Sequence, residues 1–299
     1  MNDTVKQAAH FSAMSKVKDY LQLIKPSLSI MVVFSSVISY LLAPKVVEYD
    51  LRMILLLFAG GMLVTGSANA INQVVERDTD ALMMRTANRP VAAGRMSVHE
   101  GWMFAIITGS LGVFLLGNYF NWLSAGLAVF SLFLYAFIYT PLKKVNAVAV
   151  LVGAVPGALP CLIGWAAGND KLSAGGWVLF ALQFLWQFPH FWAIAWIAHK
   201  DYSKAGFRLL PSEEGPTKYT ALQTVIYSLL LIPVSAIPYF IGMSGIISLI
   251  IAMLANGFMI LRCVRLYKRM DVSSARQVMF GSYIYLPVVL MAFLVDKVA

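Results

Sequence analysis

The chain has little charge. Of its 299 residues only 12% are Asp, Glu, Lys or Arg, while 60% are hydrophobic; a soluble domain carries about 25% charged residues. That deficit excludes a soluble globular protein, which the length alone would permit as one or two domains. Acidic residues are scarcer still, 14 against 23 basic ones. The basic excess sits in polar gaps between apolar runs and forms no footprint for a nucleic-acid backbone, so nucleic acid is not an expected partner. Cysteine is nearly absent. Cys161 and Cys263 have no CxxC spacing, which excludes a disulfide framework and a zinc site and leaves packing as their role. Missing too is the apolar core of a signal peptide, because the first 20 residues carry Lys6, His10, Lys16, Lys18 and Asp19.

What the chain has is long apolar runs. A membrane-spanning helix needs about 20 apolar residues. Runs near that length occur at 24–43, 52–75, 99–117, 121–140, 147–168, 176–198, 219–241, 244–262 and 278–295. The expected fold is all-α, a polytopic bundle of nine transmembrane helices making one membrane-embedded domain over residues 1–299. With the N-terminus inside, only Lys45, Arg52, Lys171 and Lys297 of the 23 basic residues fall outside, which orients the N-terminus to the cytoplasm. Residues 1–20 then form a cytoplasmic segment, and the long connections 77–98 and 200–218 lie on the same face. Connections longer than about 12 residues with no structure of their own are often functional, so the chemistry is expected at these two loops.

The acidic residues are few enough to sort singly. Asp3, Asp19, Glu48, Asp50, Asp170, Asp271 and Asp296 read as solvated charges at tails and loop edges. Glu100 suits the N-terminus of the third span, and Glu213 and Glu214 read as loop charges. The second span ends in Asn72, Glu76, Asp78 and Asp80. At about 100° per residue Asn72, Glu76 and Asp80 share one face, and Asp78 points elsewhere. Two stacked acids at the mouth of an apolar bundle repel each other unless a cation lies between them. Mg²⁺ meets that need, because it binds through one or two carboxylates plus phosphate oxygens. Arg85 and Arg89 follow, and arginine is matched to phosphate oxygens; Lys143 ends the fourth span at the same level. The sixth span carries a polar stripe of Gln183, Gln187 and His190, followed by Asp201. Helical arithmetic puts His190 and Asp201 on one face, about 16 Å apart along the axis, with Pro189 a possible kink between them. An ionisable side chain inside a span is a functional-site hypothesis by default. Two acidic clusters facing each other before an apolar bundle suit a substrate with a diphosphate head and a hydrocarbon tail.

Asn72-x-x-x-Glu76-x-x-x-Asp80 resembles the N-x-x-x-D-x-x-x-D signature of the UbiA-type intramembrane prenyltransferases. The resemblance covers nearly the whole chain. Within that family it is to the branch that farnesylates haem, on Lys25-Pro26, on Arg85, Arg89 and Pro90, on Tyr139 and Lys143, on Gly157, Pro160, Gly164 and Trp165, on Trp186, Gln187, Pro189 and His190, on Asp201, Tyr202, Ala205 and Gly206, on Leu210-Pro211, and on Ala275-Arg276. Glu76 departs from the usual Asp but keeps the charge. Cys161 stands where a second Pro is common, and the second acidic motif has Asp201 alone, which leaves the number of Mg²⁺ ions open.

The resemblance implies transfer of a farnesyl group from farnesyl diphosphate to a vinyl group of haem b, with addition of water, giving haem O for a terminal oxidase. It implies Mg²⁺ held by Glu76, Asp80, Asp201 and Asn72, and a diphosphate held by Arg85, Arg89, Tyr139, Lys143 and Lys200. Asn72, Glu76, Asp80, Asp201, Lys143 and His190 are the expected catalytic set, with His190 and Gln187 as a haem contact or a group that positions water. A haem A synthase or an oxidase assembly factor is the expected protein partner, and a bacterial plasma (inner) membrane the expected location rather than an organelle. A quinone-precursor prenyltransferase would share the diphosphate site, but the stretch from Trp186 to Asp201 argues against it. A transporter would place its ion site near the midplane, often with repeat symmetry, and no repeat is apparent. A haem-binding chaperone would need no diphosphate site.

Overall fold

A computed structural model describes residues 3–212 and 214–298, with side chains from residue 14 onward. Lys6, His10, Asp3 and Glu213, named above for their charges, therefore lie outside the described side chains. The regular structure of the described residues is all helical, with no strand beyond one isolated bridge between Ser244 and Lys297. In chain order the helices are α1 (Asp3–Ile24), α2 (Pro26–Leu42), α3 (Leu51–Val75), α4 (Arg77–Asp80), α5 (Val98–Tyr119) and α6 (Trp122–Phe133). A π-helical turn (Leu134–Tyr139) and α7 (Thr140–Leu142) follow, then α8 (Val148–Asn169), α9 (Ala174–Ile197), α10 (His199–Lys204), α11 (Lys218–Phe240), α12 (Ile246–Arg269) and α13 (Val272–Val295). Among the described residues, eight helices are long and apolar enough to cross a membrane, or nine if the bent pair Met14–Ile24 and Pro26–Leu42 counts as one span. The protein is a multi-pass membrane protein.

The first span differs from its expected form. Residues expected to be a polar tail are helical, and the break falls at Lys25, whose φ is 50°. Pro26 disfavours a right-handed helical conformation at the residue before it and carries no N–H of its own. The two segments meet at 46°. Asp19, expected to be solvated, is buried and accepts from Arg95 Nε at 2.9 Å. Glu100 sits in the first turn of α5 as expected. It accepts from Lys16 Nζ at 3.0 Å and from the Tyr20 hydroxyl at 2.9 Å, which docks α1 on α5.

Local chemistry sets the other ends. Asp50, Ser97, Asn121, Thr217 and Asp271 each accept a backbone N–H of their own first turn, at caps worth about 1 kcal/mol apiece. Asp296 accepts from Ser248 N at 2.7 Å and tethers the start of α12 to the end of α13. Small residues let helices touch. A Cβ at Gly112 would stand 2.9 Å from the Gly60 carbonyl, so α3 and α5 meet backbone to backbone. A Cβ at Gly164 would overlap the Ser36 carbonyl, so α8 lies directly on α2. Pro160 removes the N–H that would meet the Pro156 carbonyl, and the Ser131 hydroxyl donates to that oxygen at 3.3 Å. Large apolar side chains such as Ile106, Phe114, Ile250, Leu254 and Leu261 remain exposed on the helices, as a lipid-facing surface requires. Trp122 and Trp177 are exposed near helix ends, whereas Trp165, Trp186, Trp192 and Trp196 are buried. Cys161 and Cys263 are free and buried.

Candidate active site

The site forms where α3 stops. Backbone φ and ψ at Glu76 are −94° and 9°, which ends α3 and begins the short α4. The Asp80 N–H still reaches the Glu76 carbonyl at 2.7 Å, so both acids stay on one wall with Asn72. That wall lines a cavity of about 130 Å³, which Arg85, Arg89, Tyr139, Lys143 and Tyr202 also line. Asp78 is on the far side, paired with Arg77 and 87% exposed.

Each buried acid is met by one cation. Asp80 is fully buried, and both its oxygens accept from Arg89 Nη1, at 2.7 and 2.8 Å. Burial holds its carboxyl above the usual carboxylate range, against the opposing pull of Arg89. Glu76 accepts from Lys143 Nζ at 2.9 Å. The π-helical turn delivers Lys143, and π-turns inside helices are frequent at functional sites. The Lys143 ammonium lies 4.5 Å from the Tyr139 ring centroid and about 6 Å from the rings of Tyr135 and Phe207, an aromatic box that favours a cation. Arg85 donates to the Tyr202 hydroxyl at 3.2 Å and lies over its ring. Asn72 stands in the cavity wall and is buried with its Nδ2 unpartnered.

This donor set fits a divalent ion with a diphosphate. Two carboxylates and an amide are what Mg²⁺ takes when phosphate oxygens and water complete its shell. Three cations and the orphaned Nδ2 suit the phosphate oxygens. The expected set was larger. Among the described residues no three His, Cys, Asp or Glu side chains gather as a metal cluster, and Asp201 does not line the cavity. A break at Ala198, with φ −93° and ψ 11°, ends α9 and starts α10. Helical arithmetic from His190 to Asp201 assumes one continuous helix, which that break interrupts. Lys200, in the same short helix, is exposed and also outside the cavity lining.

His190 lies apart, deep in α9. Its Nδ1 is 2.7 Å from the Ser282 hydroxyl of α13, and its ring stacks on Trp186 at 5.0 Å. Gln187 donates to the Ala154 carbonyl and Gln183 to the Gly157 carbonyl, both across to α8. The polar stripe of α9 therefore fastens this helix to α8 and α13.

Sequence reasoning gave no role to Tyr202, Phe207 or Met83, which complete the cavity with Leu209. Tyr202 stood beside Asp201 in the same motif and was the available signal. Lys25 was missed as well: its ammonium is within electrostatic reach of Asp80, Glu76, Arg89 and Lys143.

A helical membrane bundle with a paired-carboxylate, arginine-rich mouth is the form of an intramembrane prenyltransferase. The profile of the UbiA prenyltransferase family matches residues 8–286, and the chain belongs to that family. The protoheme IX farnesyltransferase of Cytophaga hutchinsonii is 44% identical over 288 residues, covering 95% of this chain and 99% of the relative. That of Solibacter usitatus is 37% identical, over 94% and 99%. Solved structures share the fold. A UbiA homologue from Archaeoglobus fulgidus bound to GPP and Mg²⁺ superposes with a TM-score of 0.66 at 15% identity, over 92% of this chain and 99% of that one. A digeranylgeranylglyceryl phosphate synthase gives 0.77 at 24% identity, over 94% and 98%.

Proposed function

We propose that this protein transfers the farnesyl group of farnesyl diphosphate to a vinyl carbon of protohaem, with addition of water, to give haem O. The observation that carries the reading is the buried cavity in which Glu76 and Asp80 each face a cation. The acceptor follows from the relatives named above. Unliganded, the acids and cations neutralise each other. Glu76, Asp80 and Asn72 would hold Mg²⁺, and Arg89, Lys143 and Arg85 would then be released to bind the phosphate oxygens. Bound Mg²⁺ acts as a Lewis acid that neutralises charge on the leaving diphosphate. Arg89 and Lys143 stabilise the charge that grows as the C–O bond to farnesyl breaks. The apolar bundle behind the mouth keeps water from the allylic carbon. The vinyl group then supplies the electron pair for the new C–C bond. Water adds to the adjacent carbon and loses a proton to solvent. Asp201 and Lys200 belong to this reading as groups of the same face that approach once substrate is bound, and His190 as a haem contact or water-positioning group in the bundle. The inner face is read as cytoplasmic and the membrane as a bacterial plasma membrane, with the next enzyme in haem modification or an oxidase assembly factor as recipient of the product.

The test is a membrane assay with protohaem, farnesyl diphosphate and Mg²⁺, reading haem species by mass. A gain of one farnesyl plus one water, lost in Asp80→Ala, supports the reading. Prenylation of a phenolic quinone precursor, with none of haem, would discard the acceptor and keep the diphosphate site.

A further inference from the structure

The diphosphate cavity cannot also hold the acceptor. Its 130 Å³ is the volume of about four waters, room for a diphosphate head and an ion but not for a tetrapyrrole. Beside it lies a second cavity of about 630 Å³, within the range of small-molecule sites. The two share Tyr202, Phe207 and Leu209 as a common wall. The larger one lies between the turn at 144–147 and the loop at 206–212, with Ala195 and His199 of α9 and α10 behind them. The Arg208 N–H donates to the Lys143 carbonyl at 2.9 Å and ties loop to turn. Gly215, with φ +94°, lies against His199, where any Cβ would overlap the imidazole ring.

Protohaem carries its two vinyl groups on one edge and its two propionates on the opposite edge. The vinyl edge must meet the prenyl carbon at the diphosphate mouth, so the propionates come to rest elsewhere. Carboxylates driven into the apolar bundle without partners are strongly disfavoured. They need a cation at the inner face, away from those already engaged by Glu76 and Asp80. Lys144 lines the larger cavity, is exposed, and has no carboxylate partner among the described residues. Its neighbour Lys143 is held by Glu76 on the other side of the wall. The apolar faces of a tetrapyrrole would meet Phe207, Leu209 and Ala195.

We propose that this larger cavity is the acceptor site, taking the tetrapyrrole with its carboxylate edge at Lys144 and its vinyl edge over the Tyr202–Phe207 wall. The proposal rests on protohaem being the acceptor. The experiment uses the full chain in lipid nanodiscs, with protohaem and its dimethyl ester, which lacks carboxylates, as the two probes. Lys144→Glu should raise KM for protohaem about five- to tenfold, the effect of reversing an exposed charge pair. It should leave KM for the ester and for farnesyl diphosphate unchanged. A Soret-band titration without farnesyl diphosphate should show the same loss of affinity. Ser203→Trp, which fills the cavity from α10, should raise KM for both haem forms and not for farnesyl diphosphate. Equal effects of Lys144→Glu on both haem forms, no effect on either, or an effect on farnesyl diphosphate, with the wild type active on protohaem, would overturn the site alone. A wild type that prenylates only a phenol would overturn the reaction reading, and this site with it.

Discussion

Two ion pairs at opposite faces of the bundle have nearly the same length and quite different settings. Asp80 and Arg89 meet at 2.7 Å with side chains 0% and 18% exposed. Lys45 and Asp170 meet at 2.9 Å with side chains 58% and 60% exposed. Water screens the second pair, and such pairs contribute about 0–1 kcal/mol. The first has lost most of its water, and a buried pair is weak evidence of stability, because desolvation offsets much of the attraction. Its presence calls for another cause. A mouth that must receive a divalent cation and a polyanion together needs charges of both signs, and until they arrive these charges can satisfy only each other. The outer pair is fastened differently. Asn121 Nδ2 donates to Asp170 at 3.1 Å and to the Ala166 carbonyl at 2.7 Å, which ties the end of α8 to the start of α6. One pair is built to exchange partners and the other to hold two helix ends.

The comparison breaks most easily at Asp80. Asp80→Asn keeps the shape and removes the charge, and should lower kcat about 10²- to 10³-fold, the range for losing one charge-stabilising group. It should also abolish any rise in melting temperature that Mg²⁺ and inorganic diphosphate give the wild type. Turnover within twofold of wild type would remove Asp80 from the metal face. Next comes the Glu76–Lys143 pair. Lys143→Met strands a buried carboxylate and should cost about 3 kcal/mol of stability. Combined with Glu76→Gln it should regain most of that stability and none of the activity. Recovery of both would make the pair structural, like the outer one. A double-mutant cycle on unfolding and turnover separates these outcomes.

What the sequence made legible follows from physical range. Spans and their polarity are local and composition-driven, so seven of the nine runs emerge as intact α-helices, the 121–140 run continues from α6 through the π-helical turn into α7, and the first run is α2, with the break at Lys25. Asn72, Glu76 and Asp80 are close in sequence, and the end of α3 with the turn into α4 carries them to one wall. Asp201 and Lys200 stand outside the cavity lining, beyond a helix end at Ala198 that no Gly or Pro announces. Tyr202, Phe207 and Lys25 belong to the site through tertiary packing, about which spacing is silent. Asp19 is buried only because α1 packs back against the 77–98 segment through Arg95. His190 stood out as an ionisable group inside a span, but its partner Ser282 lies on a helix 92 residues away and no pattern pointed to it.

Acid sharpens the comparison by opposite signs. Burial raises the Asp80 carboxyl above its ordinary value. A carboxyl so raised contributes stability below the unfolded pKa and loses it as pH rises through the folded one. The metal needs the ionised form, so activity should fall as pH drops through that raised value, and extra Mg²⁺ should move the acid limb of the rate profile to lower pH. An acid limb that ignores Mg²⁺ would count against competition of proton and ion at this site.

At the outer face the shift has the other sign. The hydrogen bond from Lys45 holds the Asp170 carboxyl below its usual range, with a smaller contribution from Asn121. Its stabilisation is therefore present above the unfolded carboxylate pKa and is lost as pH falls through the depressed value. Both partners are more than half exposed, so Asp170→Asn should cost under about 1 kcal/mol, an effect that shrinks with added salt. Turnover and KM for farnesyl diphosphate should stay at wild-type values, because the pair holds helix ends on the face opposite the mouth. A loss of turnover in Asp170→Asn without loss of stability would show that the two faces are coupled through α8. α8 offers such a path, since it lies against α2 at Gly164, receives Gln183 and Gln187 from α9, and ends at Asp170.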